Sequence, residues 1–307
     1  MVRLGYLAVA AASVLWATGG TFARVLIDRG ASPVELTEAR AFIAMAGVGL
    51  IIAVRGRASE ARSSPAAIPW LIVGFGLAVA AANVTYYIAI SMLPVAVAIV
   101  IQYSAPALVV IWKVIESRRP PGARVTSALL LAMFGVVLLS EIYRVVANQP
   151  TTIDPIGALV AFGSAIAFAT YVVLGESVGK KLGPDRAVFW GFVVASVFWL
   201  LFQLTQGRPD TLLDTSFTLG IFFLGIVGTI APFLLFVWGL RIVSASAAGV
   251  VSTLEPVAAA GLAFWWLGQT LTPLQSFGAA SVIVGIAIVQ THRPPSPEVL
   301  LESTAVE

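Results

Sequence analysis

Cysteine is absent from the 307-residue chain, and histidine occurs once, at His292. Disulfides, thiolate metal sites and cysteine nucleophiles are thereby excluded, as are histidine-rich metal sites and serine–histidine–aspartate triads. Charge is also scarce. Asp, Glu, Lys and Arg make up 11% of the residues, under half of the roughly 25% usual in a soluble domain, so a chain this long cannot build a water-facing surface. No Walker-type phosphate loop occurs, which leaves direct ATP hydrolysis unsupported. The residues assign no catalytic group, no metal and no cofactor, and the scattered basic residues leave no nucleic-acid footprint. What fills the sequence is apolar: 59% of residues are hydrophobic and the mean hydropathy is +0.97. The solvent for most of this protein is lipid, and the chain reads as an all-α integral membrane protein.

A spanning helix needs about 20 mainly apolar residues. Ten such segments can be marked, at 4–27, 34–54, 68–90, 94–115, 124–142, 156–175, 187–206, 217–240, 245–267 and 272–290. The first follows Arg3 as a secretory signal would, but it is too long and ends in no small-x-small cleavage site. The tail, 293–307, is Pro-rich and polar and reads as disordered. Numbering the two membrane sides alternately puts thirteen of the 18 basic residues on the side of the N-terminus. Arg24, Arg29, Arg40, Arg144 and Arg208 lie on or near the other. By the positive-inside rule both termini are cytoplasmic, in a cell (inner) membrane.

The two halves of the chain match weakly at an offset of 150 residues. Pro106 falls on Pro256, Gly135 on Gly285, and the tight junction at Pro94 on Ser244. Near the start the offset is 152, setting Gly5 on Gly157 and Trp16-Ala17-Thr18 on Phe168-Ala169-Thr170. The expected units are 1–150 and 151–292, each with five spans. A unit with an odd number of crossings enters the membrane from opposite sides in its two copies, so the repeats are inverted. That arrangement marks secondary transporters.

These residues resemble the drug/metabolite transporter superfamily, EamA-type branch. Beyond the ten spans in two fives, the resemblance rests on Trp16-Ala17-Thr18, on Arg40 in the second helix and on Tyr86-Tyr87-Ile88-Ala89-Ile90 before the fourth. Leu254-Glu255-Pro256-Val257 in the ninth completes it. It covers about residues 4–291. Where family members often carry Leu-Gly-Glu, this chain has Leu267-Gly268-Gln269, a carboxamide in place of a carboxylate. The resemblance implies proton- or exchange-linked export of small metabolites, amino acids among them.

Several polar groups fall inside the predicted spans. Glu255 is ten residues into the ninth span, or about 15 Å at 1.5 Å per residue, near the midplane. An ionisable group at that depth faces a cavity or a partner. It is the candidate for proton coupling, the alternative being a carboxyl that only bonds a neighbouring helix. Pro106 and Pro256 each free the carbonyl four residues back, those of Gln102 and Ser252, and are candidate hinges. Gln102, Tyr103, Ser252 and Thr253 therefore mark a binding site where the fourth and ninth helices approach. Asn83 and Tyr87, spaced by four, share a face of the third helix. Trp16 and Phe168 occupy equivalent places, and the eighth helix adds Phe233, Phe236 and Trp238, with Pro232 opposite Ala82. Such a cavity suits a small amphipathic solute, although each aromatic also fits plain packing.

Other charges read as peripheral. Glu176 with Lys180, and Arg24 with Asp28, are spaced i,i+4 like surface pairs. Arg40 is expected at the outer edge of the second helix, to snorkel or to hold an anionic solute group. Trp70, Trp190, Trp199, Trp265 and Trp266 fit interfacial belts or lipid faces. The leading reading is a secondary transporter working by alternating access, as monomer or homodimer, on a small-molecule solute in a lipid bilayer. The alternatives are an intramembrane enzyme acting on lipid-linked substrates and a passive channel.

Overall fold

The computed structural model describes residues 1–55, 68–93, 95–143, 154–205, 209–267 and 270–291. Pro94, Arg144, Arg208, Gly268, Gln269 and His292, the boundary expected at 150/151 and the tail 293–307 lie outside them. All the regular structure described is helical. The first three spans are α1 (Val2–Asp28), α2 (Pro33–Arg55) and α3 (Pro69–Met92). The fourth is broken into α4 (Val95–Gln102) and α5 (Ala105–Ser117), and the fifth is α6 (Ala123–Leu139). The sixth and seventh are α7 (Pro155–Leu182) and α8 (Pro184–Gln203), followed by a short turn of helix, α9 (Asp210–Leu213). The eighth comprises α10 (Thr218–Gly225), a π turn (Ile226–Ile230) and α11 (Ala231–Leu240). The ninth is α12 (Ala245–Ser252) with α13 (Leu254–Leu267), and the tenth is α14 (Pro273–Gln290).

Local chemistry sets the starts of these helices. Proline, whose missing N–H costs nothing in a first turn, opens α3, α7, α8 and α14. Asp154 caps α7 through the Ile156 N–H at 3.0 Å. Thr272 and Gln275 close a reciprocal capping box on α14 at 2.9 and 3.2 Å. Both expected proline breaks are present. The fourth span turns at Tyr103-Ser104 and the ninth at Thr253. Among the described residues nine segments are long and apolar enough to cross a bilayer, and α6, with 17 residues, is the short tenth.

Packing between the halves obeys an exchange rule. The third span lies on the sixth, and its counterpart, the eighth, lies on the first. The fourth touches the sixth as the ninth touches the first, and the second meets the seventh as the fifth meets the tenth. Single glycines repeat the rule. A Cβ on Gly5 would come 2.9 Å from Ile242, and one on Gly157 would come 2.9 Å from Leu93. The partners Ile242-Val243 and Met92-Leu93 are themselves 150 residues apart. Where the fifth and tenth spans cross, Gly135 and Gly278 meet so closely that a Cβ on either would lie 2.5–2.7 Å from the other's carbonyl oxygen. Backbones approach this way when small residues stand at the contact.

Some peripheral readings are overturned. The sixth span runs to Leu182, not 175, so Glu176 lies within it and is 8% exposed. Glu176 takes Lys180 at 2.7 Å and, from the fourth span, Lys113 at 2.9 Å, which makes it an inter-helix tie and not a surface pair. Trp199 is 2% exposed, in the core of α8 against Phe198 and Phe202. Trp70 and Trp265 are exposed as an interfacial reading requires, and Arg24 pairs with Asp28 at 2.9 Å on the surface.

Candidate functional site

At the aromatic centre Trp16 and Phe168, equivalent in the repeat, are in ring contact. Their ring centroids are 6.0 Å apart, edge to face. Phe233 and Phe236 of α11 close on Trp16 at 5.4 and 4.9 Å, and Tyr171 of α7 joins Phe233 at 5.3 Å. Phe236 packs on Trp16, and Trp16, Phe168, Tyr171 and Phe233 line a cavity of about 60 Å³. Its polar side carries Asn83, Tyr86 and Tyr87 of α3, Gln102 at the end of α4, Arg40 of α2 and Glu255 of α13. Seven of the ten spans thus converge on one point.

Arg40 is the principal correction. It is 6% exposed, deep in the bundle, and not at an outer edge. Three interactions hold it: Nε donates to Thr229 Oγ1 at 2.7 Å, Nη2 to the Gly228 carbonyl at 2.9 Å, and Nη1 to the Tyr87 hydroxyl. The eighth span is built to receive it. Pro232 has no N–H for the Gly228 carbonyl four residues back, and the π turn opens the backbone there. Thr229 Oγ1, while accepting from Arg40, donates to the Leu224 carbonyl at 2.8 Å. Gly19 of α1 lets this turn approach, since a Cβ there would lie 2.8 Å from Gly228 Cα. A guanidinium has five N–H groups. Three are engaged among the described residues, and two remain on a side chain that lines the cavity.

Glu255 lines the same cavity from the broken ninth span, within side-chain hydrogen-bonding reach of Tyr103 and within the electrostatic field of Arg40. Gln102, at the break in the fourth span, is fixed by Ser164 of α7, whose hydroxyl donates to Gln102 Oε1 at 2.7 Å. Asn83 spends its amide on the Val79 carbonyl at 2.7 Å, which leaves its own oxygen for the cavity.

A model of the EamA-like transporter family matches residues 3–141 and, a second time, residues 155–291. The chain belongs to the EamA-like transporter family. It is 27% identical over 289 residues to an uncharacterized transporter of Archaeoglobus fulgidus, covering 94% of this chain and 96% of that one. It is 25% identical over 296 residues to the uncharacterized inner membrane transporter YicL of Salmonella typhimurium, covering 94% and 95%. The threonine/homoserine exporter RhtA of Escherichia coli is 25% identical over 210 residues, covering 68% and 67%. A crystal structure with 20% sequence identity superposes at a TM-score of 0.73 over 92% of this chain and 95% of its own, so the fold is shared. This EamA-family protein is a multi-pass membrane transporter, from a family of transporters and not of enzymes, and its cargo is a small-molecule solute.

Within the EamA bundle the residues singled out from the sequence divide into two groups. Trp16, Asn83, Tyr87, Gln102, Phe168 and Glu255 meet around the cavity, and Tyr103, buried and outside its lining, interacts with Glu255. Ser252 and Thr253 are fully buried and turn back onto their own helix, donating to the Gly249 and Val250 carbonyls at 2.7 and 2.6 Å. With Trp238 they stand outside the residues that line the cavity. Pro106 packs against Gly249, where the fourth and ninth spans meet. Sequence reasoning pointed to Phe233 and left Arg40 between a solute anchor and a snorkelling side chain, but it missed Tyr171 as a cavity residue, and Thr229 and Gly228 as the groups that hold Arg40. Pro232 was a usable signal. The rule that flagged Gln102 from Pro106 points equally to the carbonyl of Gly228.

Proposed function

We propose that the protein is a secondary carrier that exports a small zwitterionic solute, an amino acid first among candidates, in exchange for protons by alternating access. The observation that supports this reading is the pairing of Arg40 and Glu255 in one cavity walled by Trp16, Phe168, Tyr171 and Phe233. The two free N–H groups of Arg40 suit a carboxylate, the Glu255 carboxylate suits an ammonium group, and the rings suit the aliphatic remainder. Glu255 cannot hold an ammonium group and a proton together. Protonation from one side therefore releases solute, and solute binding from the other releases the proton. This competition couples the two flows without a second site. At about 60 Å³ the cavity is far below the roughly 300–1,000 Å³ of small-molecule pockets. Solute entry thus requires the halves to part, as two rocking units do.

In this scheme residues 1–150 and 151–292 are two five-helix units mounted upside down to each other. Both termini lie in the cytoplasm, and Pro106 and Pro256 act as hinges. Amino-acid export as the direction rests on the name of the relative RhtA. The test is counterflow of threonine in proteoliposomes. A carrier shows saturable uptake that is accelerated by unlabelled threonine preloaded inside. Unsaturable flux without counterflow points to a channel, and turnover of lipid-linked substrate by the purified protein points to an enzyme.

A further inference from the structure

Away from the central cavity, α5 and α7 enclose a second one of about 320 Å³, almost wholly apolar, lined by Leu108, Ile111 and Ile115 of α5 and by Ile166 and Val173 of α7. The two helices run side by side in the same direction, since Gln102 meets Ser164 near one end and Lys113 meets Glu176 toward the other. The groove rises with them. From Leu108 to Ile115 it extends for about 10 Å at 1.5 Å per residue, toward the helix ends.

Charge collects at those ends. Lys113 is held by Glu116 at 2.8 Å and by Glu176 at 2.9 Å, and Lys180 by Glu176 at 2.7 Å. Among the described residues, Arg118 and Arg119 directly follow α5, and Lys181 follows Lys180 in the last turn of α7, all three exposed. These two helix ends thus carry five basic residues and the two carboxylates Glu116 and Glu176. Lys180 keeps half of its side chain in the open. An apolar slot of this length with a surplus of cations at its outer end has the shape and charge of a phospholipid with an anionic headgroup.

We propose that this groove is a binding site for an anionic phospholipid, one acyl chain lying between α5 and α7 and the phosphate meeting the Lys180, Lys181 and Arg118 end. The occupied groove joins the fourth span, from the first half, to the sixth, from the second. The lipid is therefore a wedge in a contact that must slide when the halves move, and it ties transport rate to membrane composition. The site is independent of which solute the central cavity takes.

Trp112 is part of the groove wall and half-exposed, which supplies the probe. The protein is placed in phosphatidylcholine nanodiscs containing a small fraction of brominated phosphatidylglycerol or, separately, of brominated phosphatidylcholine. The component of tryptophan quenching that disappears in Trp112→Phe is measured. Stronger quenching of that component by the anionic lipid is expected, and neutralising Lys180 and Lys181 to glutamine lowers the apparent affinity by about fivefold per lysine. Thr170→Phe, a filling substitution at an exposed groove position that adds no new tryptophan, removes the selective component and leaves the quenching of the other tryptophans unchanged. Equal quenching by the two lipids, or selectivity that survives Thr170→Phe, overturns the proposal and leaves only ordinary boundary lipid.

Discussion

Replacing Arg40 by glutamine tests the solute site most directly. In the structure the guanidinium is committed to Thr229 Oγ1, the Gly228 carbonyl and the Tyr87 hydroxyl, with two N–H groups left. A hydrogen bond to a charged group contributes about 1.5–3 kcal/mol net. Losing one such bond to a solute carboxylate raises the KM for threonine roughly 10- to 150-fold. The same change leaves the Gly228 carbonyl and the Tyr87 hydroxyl without their partner, at about 1–3 kcal/mol each. Thr229 keeps its bond to Leu224. A lower melting temperature is therefore expected as well, and the two effects must be separated. The assay is counterflow in proteoliposomes with threonine and with threonine amide, which lacks the carboxylate, alongside thermal unfolding of the same preparations. Wild type is expected to prefer threonine. Arg40→Lys keeps the charge but loses the planar fork, and falls between wild type and Arg40→Gln. A folded Arg40→Gln protein that still distinguishes the two solutes by the wild-type ratio would refute the assignment of Arg40 as the carboxylate anchor.

Glu255→Gln is expected to abolish threonine accumulation driven by a pH gradient while solute–solute counterflow continues at reduced affinity; accumulation that persists removes proton exchange at this position. Gly135→Ala places a Cβ 2.5 Å from the Gly278 carbonyl oxygen, an overpacking that costs about 1–3 kcal/mol and lowers the thermal midpoint. Gly261→Ala, mid-helix with nothing within 4 Å of the added methyl, does not lower the midpoint and, through alanine's better helix propensity, raises it slightly. Since the chain has no native cysteine, Arg3→Cys and Thr291→Cys can be labelled singly in intact spheroplasts. Both should be protected from an impermeant maleimide, and labelling of one alone would break the inverted topology.

The helices and their breaks were legible because each follows from local chemistry: a length of apolar chain, a proline without an N–H, a capping side chain. Gln102 and Glu255 could be placed near the site for the same reason. The depth of Arg40 could not. An unpaired guanidinium inside the membrane is costly, and the charge-free run after it, Ala41 to Val54, is short, so the outer edge was the reasonable place. What offsets the cost comes from Thr229 and Gly228, 189 and 188 residues away. No window along the chain contains both. Glu176 misled in the same way. The i,i+4 spacing to Lys180 was visible, whereas the tie to Lys113 on another span depends on how the two helices pack.

The charged groups stand in a symmetric frame without sharing its symmetry. Glu255 has Ala105 as its counterpart, and the positions 150–152 residues beyond Arg40 carry Trp190, Gly191 and Phe192. The frame and the site can therefore do different work. In the proposed alternating-access scheme the helix pairs exchange under the repeat, so closing the bundle at one face would use nearly the same packing as closing it at the other. The two states then differ little in free energy, and a ligand can move the balance only by as much as it prefers one of them. A site made of two equal halves would offer the same groups in both states. Arg40 is fixed to the eighth span and Glu255 belongs to the ninth, next to the break at Thr253, so relative motion of these spans changes the distance between the two charges. A zwitterion bridging both is held at one separation and released at another. Under the proposed proton exchange, the asymmetry of the charges is thus what would let solute and proton select a face in a bundle whose packing alone is close to indifferent.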